Sequence, residues 1–567
     1  MIMTSNNEYS EIVSTKILAE LLVAKGVRRA VLSPGSRNAP LVVSLSRRPE
    51  LSCRVVIDER SAAFVALGMA QQSGEPVALV CTSGTALLNY APAVAEAYYQ
   101  RLPLIVISAD RPEEWIDQDD SQTIRQRNAL SPYVKASYQL PAVPVCDDER
   151  WYINRQVNEA INLSLSAPAG PVHINVPLRE PLYATRLYTE QERVVSSVPV
   201  ERTLSHDTVC ELAQKISSAR RVMILATFGA PDTTLTALLE RVAALPQVVL
   251  LTETISNIPV ANAIPTIDRV LSVMPGDYQA EYAPEILITF GGAPVSRMIK
   301  RYLRAHRPVE HWRIDESEHI IDTMQSLTRH IRLAPSRFFS ALLPLLLPSD
   351  SDYGRSWQLL RSEAAECHTQ YVAVAPWCDL TAFSILLPTI PQGAALQLSN
   401  GTSVRYAQLF ETPRLFRSDG NRGTSGIDGS LSTAVGAAMA SDRLTVCIIG
   451  DMSFLYDAGA LAIRQLPPNL RIVVLCNGGG GIFRFIPGPS TLPELEPYFE
   501  IPQDVNVGGY ASLHGIPCYH AADGDTLRDL LPQFFAPADT PVILAIETPR
   551  LLNAEILRDY FSRLNHR

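Results

Sequence analysis

The sequence predicts an α/β protein built from three doubly wound parallel-sheet domains. Runs rich in Val, Ile and Leu recur along its 567 residues, and segments with apolar residues at helical spacing separate them. Strands buried on both faces read as continuous apolar runs, and helices between them make the crossovers of a parallel sheet. The chain is also too long for one ordinary domain and suits two to four.

In the first block, "TKILAELLVAKG" has helical spacing and "RAVLSP" reads as a strand. "NAPLVVSLSRR" is a helix, "CRVVID" a strand, "ERSAAFVALGMAQQSG" a helix and "PVALVCTSG" a strand. "TALLNYAPAVAEAYYQ" continues as a helix, "LPLIVISAD" as a strand, and "GPVHINVPLREPLY" closes the block, giving a domain over residues 1–185. The polar stretch "ATRLYTEQERVVSSVPVERTLSHDT" reads as a linker. A second block, 205–345, has candidate strands at "RRVMILATFGA", "QVVLLTETIS", "EILITFGGAPVSR" and "EHWRIDE". The Pro/Ser/Asp-rich "LLPLLLPSDSDYGRSW" ends it. A third, 375–567, has strands at "AALQLSN", "RLTVCIIGD", "RIVVLCNGG" and "PVILAIETP".

Composition narrows the function classes. Hydrophobic residues make up 47% of the chain, but no stretch has the 18 or so uncharged apolar residues of a membrane span. The start, "MIMTSNNEYSEIVSTK", lacks the basic and apolar regions of a signal peptide. Nine cysteines without metal-ligand spacing read as reduced thiols, which places the protein in the cytoplasm. A formal charge of −9 argues against nucleic acid as a partner.

Ligands of open α/β sheets bind beyond the carboxyl ends of the strands. Five such ends carry unusual residues here: Ser33-Pro34-Gly35-Ser36-Arg37, Asp58-Glu59-Arg60, Thr82-Ser83-Gly84-Thr85, Gly450-Asp451 and Asn477-Gly478-Gly479. Each alone is explained by turn and capping chemistry. Together they suggest a site. Asp451 lies 26 residues before Asn477, one strand–helix–strand crossover, so both can end neighbouring parallel strands. An Asp carboxylate, an Asn amide and a glycine carbonyl offer three hard oxygens, and Mg²⁺ takes its other ligands from phosphate and water. A helix starting at about Ser453 aims N–H groups at the same phosphates. The pattern therefore points to a metal–diphosphate site.

"GDMS…LCNGGGG" resembles the thiamine diphosphate (ThDP) motif, which runs from Gly-Asp to an Asn; the first of two asparagines usual at its end is Cys476 here. The resemblance implies that Asp451, Asn477 and the Gly479 carbonyl hold Mg²⁺, with Mn²⁺ able to substitute, and that Ser453 lies on the cofactor. It also implies a glutamate in a pyrimidine-binding domain that acts on the cofactor's aminopyrimidine ring. Glu59 matches that position; taken alone, it reads as a helix N-terminal acid. The three blocks then become pyrimidine-binding, central and diphosphate-binding domains.

"SPGSRNAPL", "TSGTALLNYAPAV", "SADRP", "QTIRQ", "GGAPVSR" and "NRGTSGIDG" resemble, more narrowly, the 2-succinyl-5-enolpyruvyl-6-hydroxy-3-cyclohexene-1-carboxylate (SEPHCHC) synthase family of menaquinone biosynthesis. That resemblance implies condensation of 2-oxoglutarate with isochorismate, both dicarboxylates, with loss of CO₂. Guanidinium forks suit carboxylates. Ser36, Arg37, Arg111 and Gln122 match isochorismate-side positions, and Arg297 stands where many members have lysine. Arg405 matches the arginine for the distal carboxylate of 2-oxoglutarate, and Arg422 lies near the reacting centre. Thr402 is assigned the role of a serine usual before the Arg405 position. Ile427 matches the aliphatic residue under the cofactor, and Ile482 and Phe483 match apolar residues on the substrate side. For these three, core packing is a comparable explanation. The resemblance further implies a homodimer or homotetramer, with Glu59 and Asp451 of one site supplied by different chains.

Other readings are weaker. Another ThDP enzyme, such as an acetolactate synthase or 2-oxoacid decarboxylase, fits the cofactor motif, but the arginine set favours more acidic substrates. No two of the ten histidines are adjacent, unlike the pair in many simple decarboxylases. A nicotinamide dehydrogenase lacks its G-x-G-x-x-G signature here. A regulatory ThDP-binding protein has no need of Glu59.

Overall fold

The computed structural model describes residues 8–142, 144, 146–276, 279–485 and 488–565. Three parallel sheets form, each where the sequence alternates apolar strands with helices. Their central strands are buried on both faces: every residue of Val77–Cys81, Leu104–Asp110, Val222–Ala226 and Ile286–Phe290 is buried. That is why these strands read as unbroken apolar runs.

The chain forms two compact units, one of residues up to 200 with 423–442 and 456–470, the other of 201–422, 443–455 and 471 onward. In the first unit the strand order is Ser52–Val55, Arg29–Leu32, Val77–Cys81, Leu104–Asp110, Val172–Pro177, Ser137–Gln139. Its core gathers Ile17, Leu22, Ile105, Ile107 and Ile174. Helix Glu59–Ser73 packs on helix Ser430–Met439 so closely that their glycines face backbone: a Cβ on Gly68 would stand 2.0 Å from the Thr433 carbonyl oxygen, and one on Gly436 2.0 Å from that of Val65.

The second unit holds two sheets. One runs Val248–Thr252, Val222–Ala226, Ile286–Phe290, Glu310–Ile314, Arg329–Ile331. The other runs Arg417–Asp419, Ala395–Leu398, Thr445–Gly450, Leu470–Cys476, Val542–Glu547, Cys518–Ala521. One apolar cluster joins them, from Leu251 and Leu287 through Trp357 and Phe383 to Ile448 and Leu475. No single described helix is long and apolar enough to cross a membrane.

The structure corrects three expectations. "TALLNYAPAVAEAYYQ" is two helices, Thr85–Asn89 and Ala91–Gln100, broken at Tyr90; Pro92 is tolerated only in the first turn of the second. The stretch read as a linker is partly folded onto the first unit. Thr185–Leu187 pairs antiparallel with Glu8–Ser10, and the Glu192 carboxylate accepts from buried Lys16 at 2.7 Å. The helix expected from about Ser453 begins at Asp451, directly on the end of its strand.

Candidate functional site

In the second unit, strands Thr445–Gly450 and Leu470–Cys476 are neighbours, so Asp451 and Asn477 emerge side by side. Asp451 is 2% exposed. Its Oδ1 accepts the Met452 N–H at 2.7 Å, and its Oδ2 accepts those of Gly478 and Gly479 at 2.8 and 3.2 Å. Burial raises its carboxyl to about 6, against the pull of these three N–H groups. Asn477 donates from Nδ2 to Oδ2 of Asp379 at 2.9 Å, and no described donor reaches its Oδ1. The Gly479 carbonyl accepts one hydrogen bond, from Gly481 N–H at 2.8 Å, which leaves it a second lone pair. Gly479 has φ +138°, and a Cβ there would stand 2.8 Å from the Glu500 carbonyl oxygen, so this turn requires glycine. Cys476, just before Asn477, is held as a neutral thiol: burial, then Asp451, push it up to about 12.

Asp451, Asn477, Gly478, Thr548 and Arg550 line a cavity of about 560 Å³. Two buried acids, Asp451 and Asp379, stand close there, and among the described residues neither has an ion pair. An oxygen on Asp451, the Asn477 Oδ1 that no described donor reaches, and the Gly479 carbonyl make a hard donor set beside two buried carboxyl groups. These residues fit a divalent cation. Ser453 is buried in the first turn after Asp451. Ile482 and Phe483 open helix Ile482–Phe485, and Phe483 packs on Phe499 at 5.8 Å between ring centres. This segment folds back over the glycines: Gly480 N–H donates to Glu500 O at 2.7 Å, and the buried Glu500 carboxylate pairs with Arg484 and Arg550.

The second unit also brings three predicted arginines together. Burial, then the nearby charges of Arg422 and Arg297, lower the Arg405 guanidinium to about 10. Arg405 donates to the Gly401 carbonyl, and Arg422 donates to Asn400 Oδ1 at 2.7 Å. Arg297 is exposed, the first residue of helix Arg297–Ala305. Lys300 belongs to the same cationic group, opposed by buried Glu253. Cations this close repel one another, and an anion among them relieves that repulsion. Thr402 is half-buried before helix Ser403–Ala407; Ser403 itself is buried against Ser399 at 3.2 Å.

In the first unit, Ser36, Arg37, Arg111 and Gln122 gather at the carboxyl ends of one sheet. Ser36 is exposed, whereas Arg37 is buried and donates to Leu178 O at 3.0 Å and Glu180 Oε1 at 3.1 Å. Arg111 lies 3.2 Å from Asp120 and 4.0 Å from the same Glu180 oxygen. Gln122 has φ +54°, and its backbone would be 3.3 Å from a Cβ on Gly84. Glu59 is half-buried as the first residue of its helix, which Asp58 caps by accepting Arg60 N–H at 3.0 Å. Among the described residues no donor hydrogen-bonds the Glu59 carboxylate. Ile427 also belongs to this unit and is 43% exposed. Sequence reasoning missed Asp379 and Glu180, whose partners alone carried a motif; Gln126 closes the quoted "QTIRQ" but was given no role, and its Oε1 accepts Gly84 N–H at 2.7 Å.

Comparison with known proteins bears on this arrangement. Residues 14–130 match the family model of the thiamine pyrophosphate enzyme N-terminal TPP binding domain, and 399–546 that of the C-terminal TPP binding domain. A Porphyromonas gingivalis protein named 2-succinyl-5-enolpyruvyl-6-hydroxy-3-cyclohexene-1-carboxylate synthase is 44% identical over 99% of this chain and 98% of its own. Proteins of the same name from Flavobacterium psychrophilum and Bacteroides thetaiotaomicron are 40% and 38% identical. They cover 98% and 99% of this chain and all of their own.

Proposed function

The chain belongs to the SEPHCHC synthase family of thiamine pyrophosphate enzymes, and from that premise we propose that it decarboxylates 2-oxoglutarate and joins the remaining four-carbon unit to isochorismate. The observation that carries the reading is the Asp451–Asn477–Gly479 oxygen set at the ends of two adjacent strands, in one unit with a cluster of three arginines. Asp451, Asn477 and Gly479 would hold Mg²⁺ or Mn²⁺, with Ser453 beside the diphosphate. Bound ThDP supplies the electron sink that lets CO₂ leave. Glu59, which no described donor hydrogen-bonds, would exchange a proton with the aminopyrimidine ring, and Ile427 would support the cofactor. Arg405 and Arg422 would orient 2-oxoglutarate, with Thr402, Ile482 and Phe483 shaping its pocket. Ser36, Arg37, Arg111, Gln122 and Arg297 would orient isochorismate through its carboxylates. The working form is a cytoplasmic homodimer or homotetramer, with pyrimidine-binding (1–185), central (205–345) and diphosphate-binding (375–567) domains.

The test is to supply ThDP, Mg²⁺, 2-oxoglutarate and isochorismate and follow loss of isochorismate. Consumption that requires all four supports the proposal. Consumption with pyruvate and not with 2-oxoglutarate would replace it by an acetolactate-synthase type of reaction.

A further inference from the structure

We infer that Asp379 is a positioning residue for the metal site: it selects which end of the Asn477 side-chain amide is offered to the cation. The inference rests on the proposed ThDP–Mg²⁺ reading. Asp379 opens helix Asp379–Thr389, where an acid is ordinarily a surface group favoured by the helix dipole. This one is fully buried, and no described backbone N–H of its own helix donates to its side chain. Its two oxygens instead face elements distant in the chain. Oδ2 accepts Asn477 Nδ2 at 2.9 Å, and Oδ1 accepts the Thr548 hydroxyl at 2.6 Å. Asn553 braces the arrangement: its Oδ1 accepts the Asp379 N–H at 2.7 Å, and its Nδ2 donates to Thr548 Oγ1 at 3.1 Å.

The two ends of an asparagine amide have nearly the same shape, but only the oxygen can ligate a hard cation. A half-turn of the Asn477 amide would replace a ligand by two N–H donors. Both Asp379 oxygens act as acceptors here, one from Thr548 and the other from Asn477, so Asp379 holds the NH₂ end and leaves Oδ1 as the end without a described donor. Asp379 itself is not among the residues lining the cavity, whereas Asn477 and Thr548 are. It therefore acts through Asn477 rather than as a ligand. Outer-shell partners of this kind typically change metal affinity by about 10–100-fold when altered.

The pair can be exchanged to test the idea. In D379N the new amide can present either end to Asn477, so Mg²⁺-dependent ThDP binding should weaken by about 10–100-fold, read by calorimetry and by Mn²⁺ electron paramagnetic resonance. The double variant D379N/N477D restores a donor–acceptor pair and puts oxygens at both ends of residue 477. Its cation affinity should return to within several-fold of the parent. The melting temperature of the cofactor-free protein reports folding; should D379N not fold, T548V, which removes the second anchor of Asp379, should weaken cation binding in the same direction. A cation affinity in D379N (or in T548V) within twofold of the parent overturns the inference. So does a double variant no better than D379N, which would leave Asp379 a merely structural or charge role. If the parent itself takes up no ThDP with Mg²⁺, the functional reading fails first and this inference falls with it.

Discussion

At the scale of the residue, Glu253 shows what the arginine cluster demands of its surroundings. It is buried just past strand Val248–Thr252, and one oxygen accepts the N–H groups of Val295 and Ser296 at 2.8 and 2.9 Å. Its other oxygen is buried with no hydrogen bond among the described residues. Burial raises the group to about 7, opposed by those N–H bonds and by Arg422, and reinforced by Asp268. An acid whose folded pKa lies above its unfolded value holds more protons folded than unfolded between the two values. Stability therefore falls as pH rises from about 4.5 to 7, by on the order of 3 kcal/mol through this group. E253Q stays neutral throughout. Its melting temperature relative to the parent should be several degrees higher at pH 8 than at pH 5, and an unchanged difference would show that Glu253 does not titrate in that window. Neither Glu253 nor Asp379 was legible in the sequence. Asp451 and Asn477 were, because their spacing is one crossover and their chemistry sits at strand ends. Asp379 lies 98 residues from the asparagine it holds, and a lone Asp before an apolar helix looks like any first-turn acid.

At the scale of the element, the crossing of helices Glu59–Ser73 and Ser430–Met439 depends on bare backbone at Gly68 and Gly436. A methyl at either would stand 2.0 Å from a carbonyl oxygen of the partner helix, and backbone cannot rotate aside as a side chain can. Gly68→Ala should destabilise by about 1–3 kcal/mol or more, and the helix it displaces carries Glu59 at its start. Gly276→Ala, where a Cβ meets nothing within 4 Å, is the control and should change stability by less than about 0.5 kcal/mol. Thermal unfolding of both variants decides it, and an undisturbed Gly68→Ala would mean that the helices lie farther apart. The long apolar strands were legible because both faces are buried. The three-residue strands were not. Thr185–Leu187 is exposed along its whole length, and Arg417–Asp419 hides its two charges in a buried ion pair with each other, so "RSD" reads as a loop.

At the scale of the molecule, the first and last sheets share one strand order, with their first strand between the second and third and their last strand inside the fifth. The three-block architecture followed from the spacing of apolar runs. That residues 423–442 and 456–470 belong with the first unit did not, because helix Ser430–Met439 joins it through two facing glycines, and 456–470 follow through Asp457, which accepts from Ser432. Glu59 and Ile427 thus lie in one unit, and Asp451, Asn477, Gly479 and the Arg297–Arg405–Arg422 cluster in the other. In the proposed reaction ThDP would meet Glu59 at its pyrimidine ring and Asp451 at its diphosphate. In the proposed homodimer those two residues come from different chains. A Glu59→Gln chain and an Asp451→Ala chain should then each be inactive alone, since each spoils both of its own sites. After subunit exchange, half of the dimers are mixed, and each mixed dimer has one site with both native residues. About a quarter of the parent activity should therefore return in the mixture. A site built within one chain predicts none, because every chain carries a defect, so the recovered fraction measures directly whether the second copy completes the site.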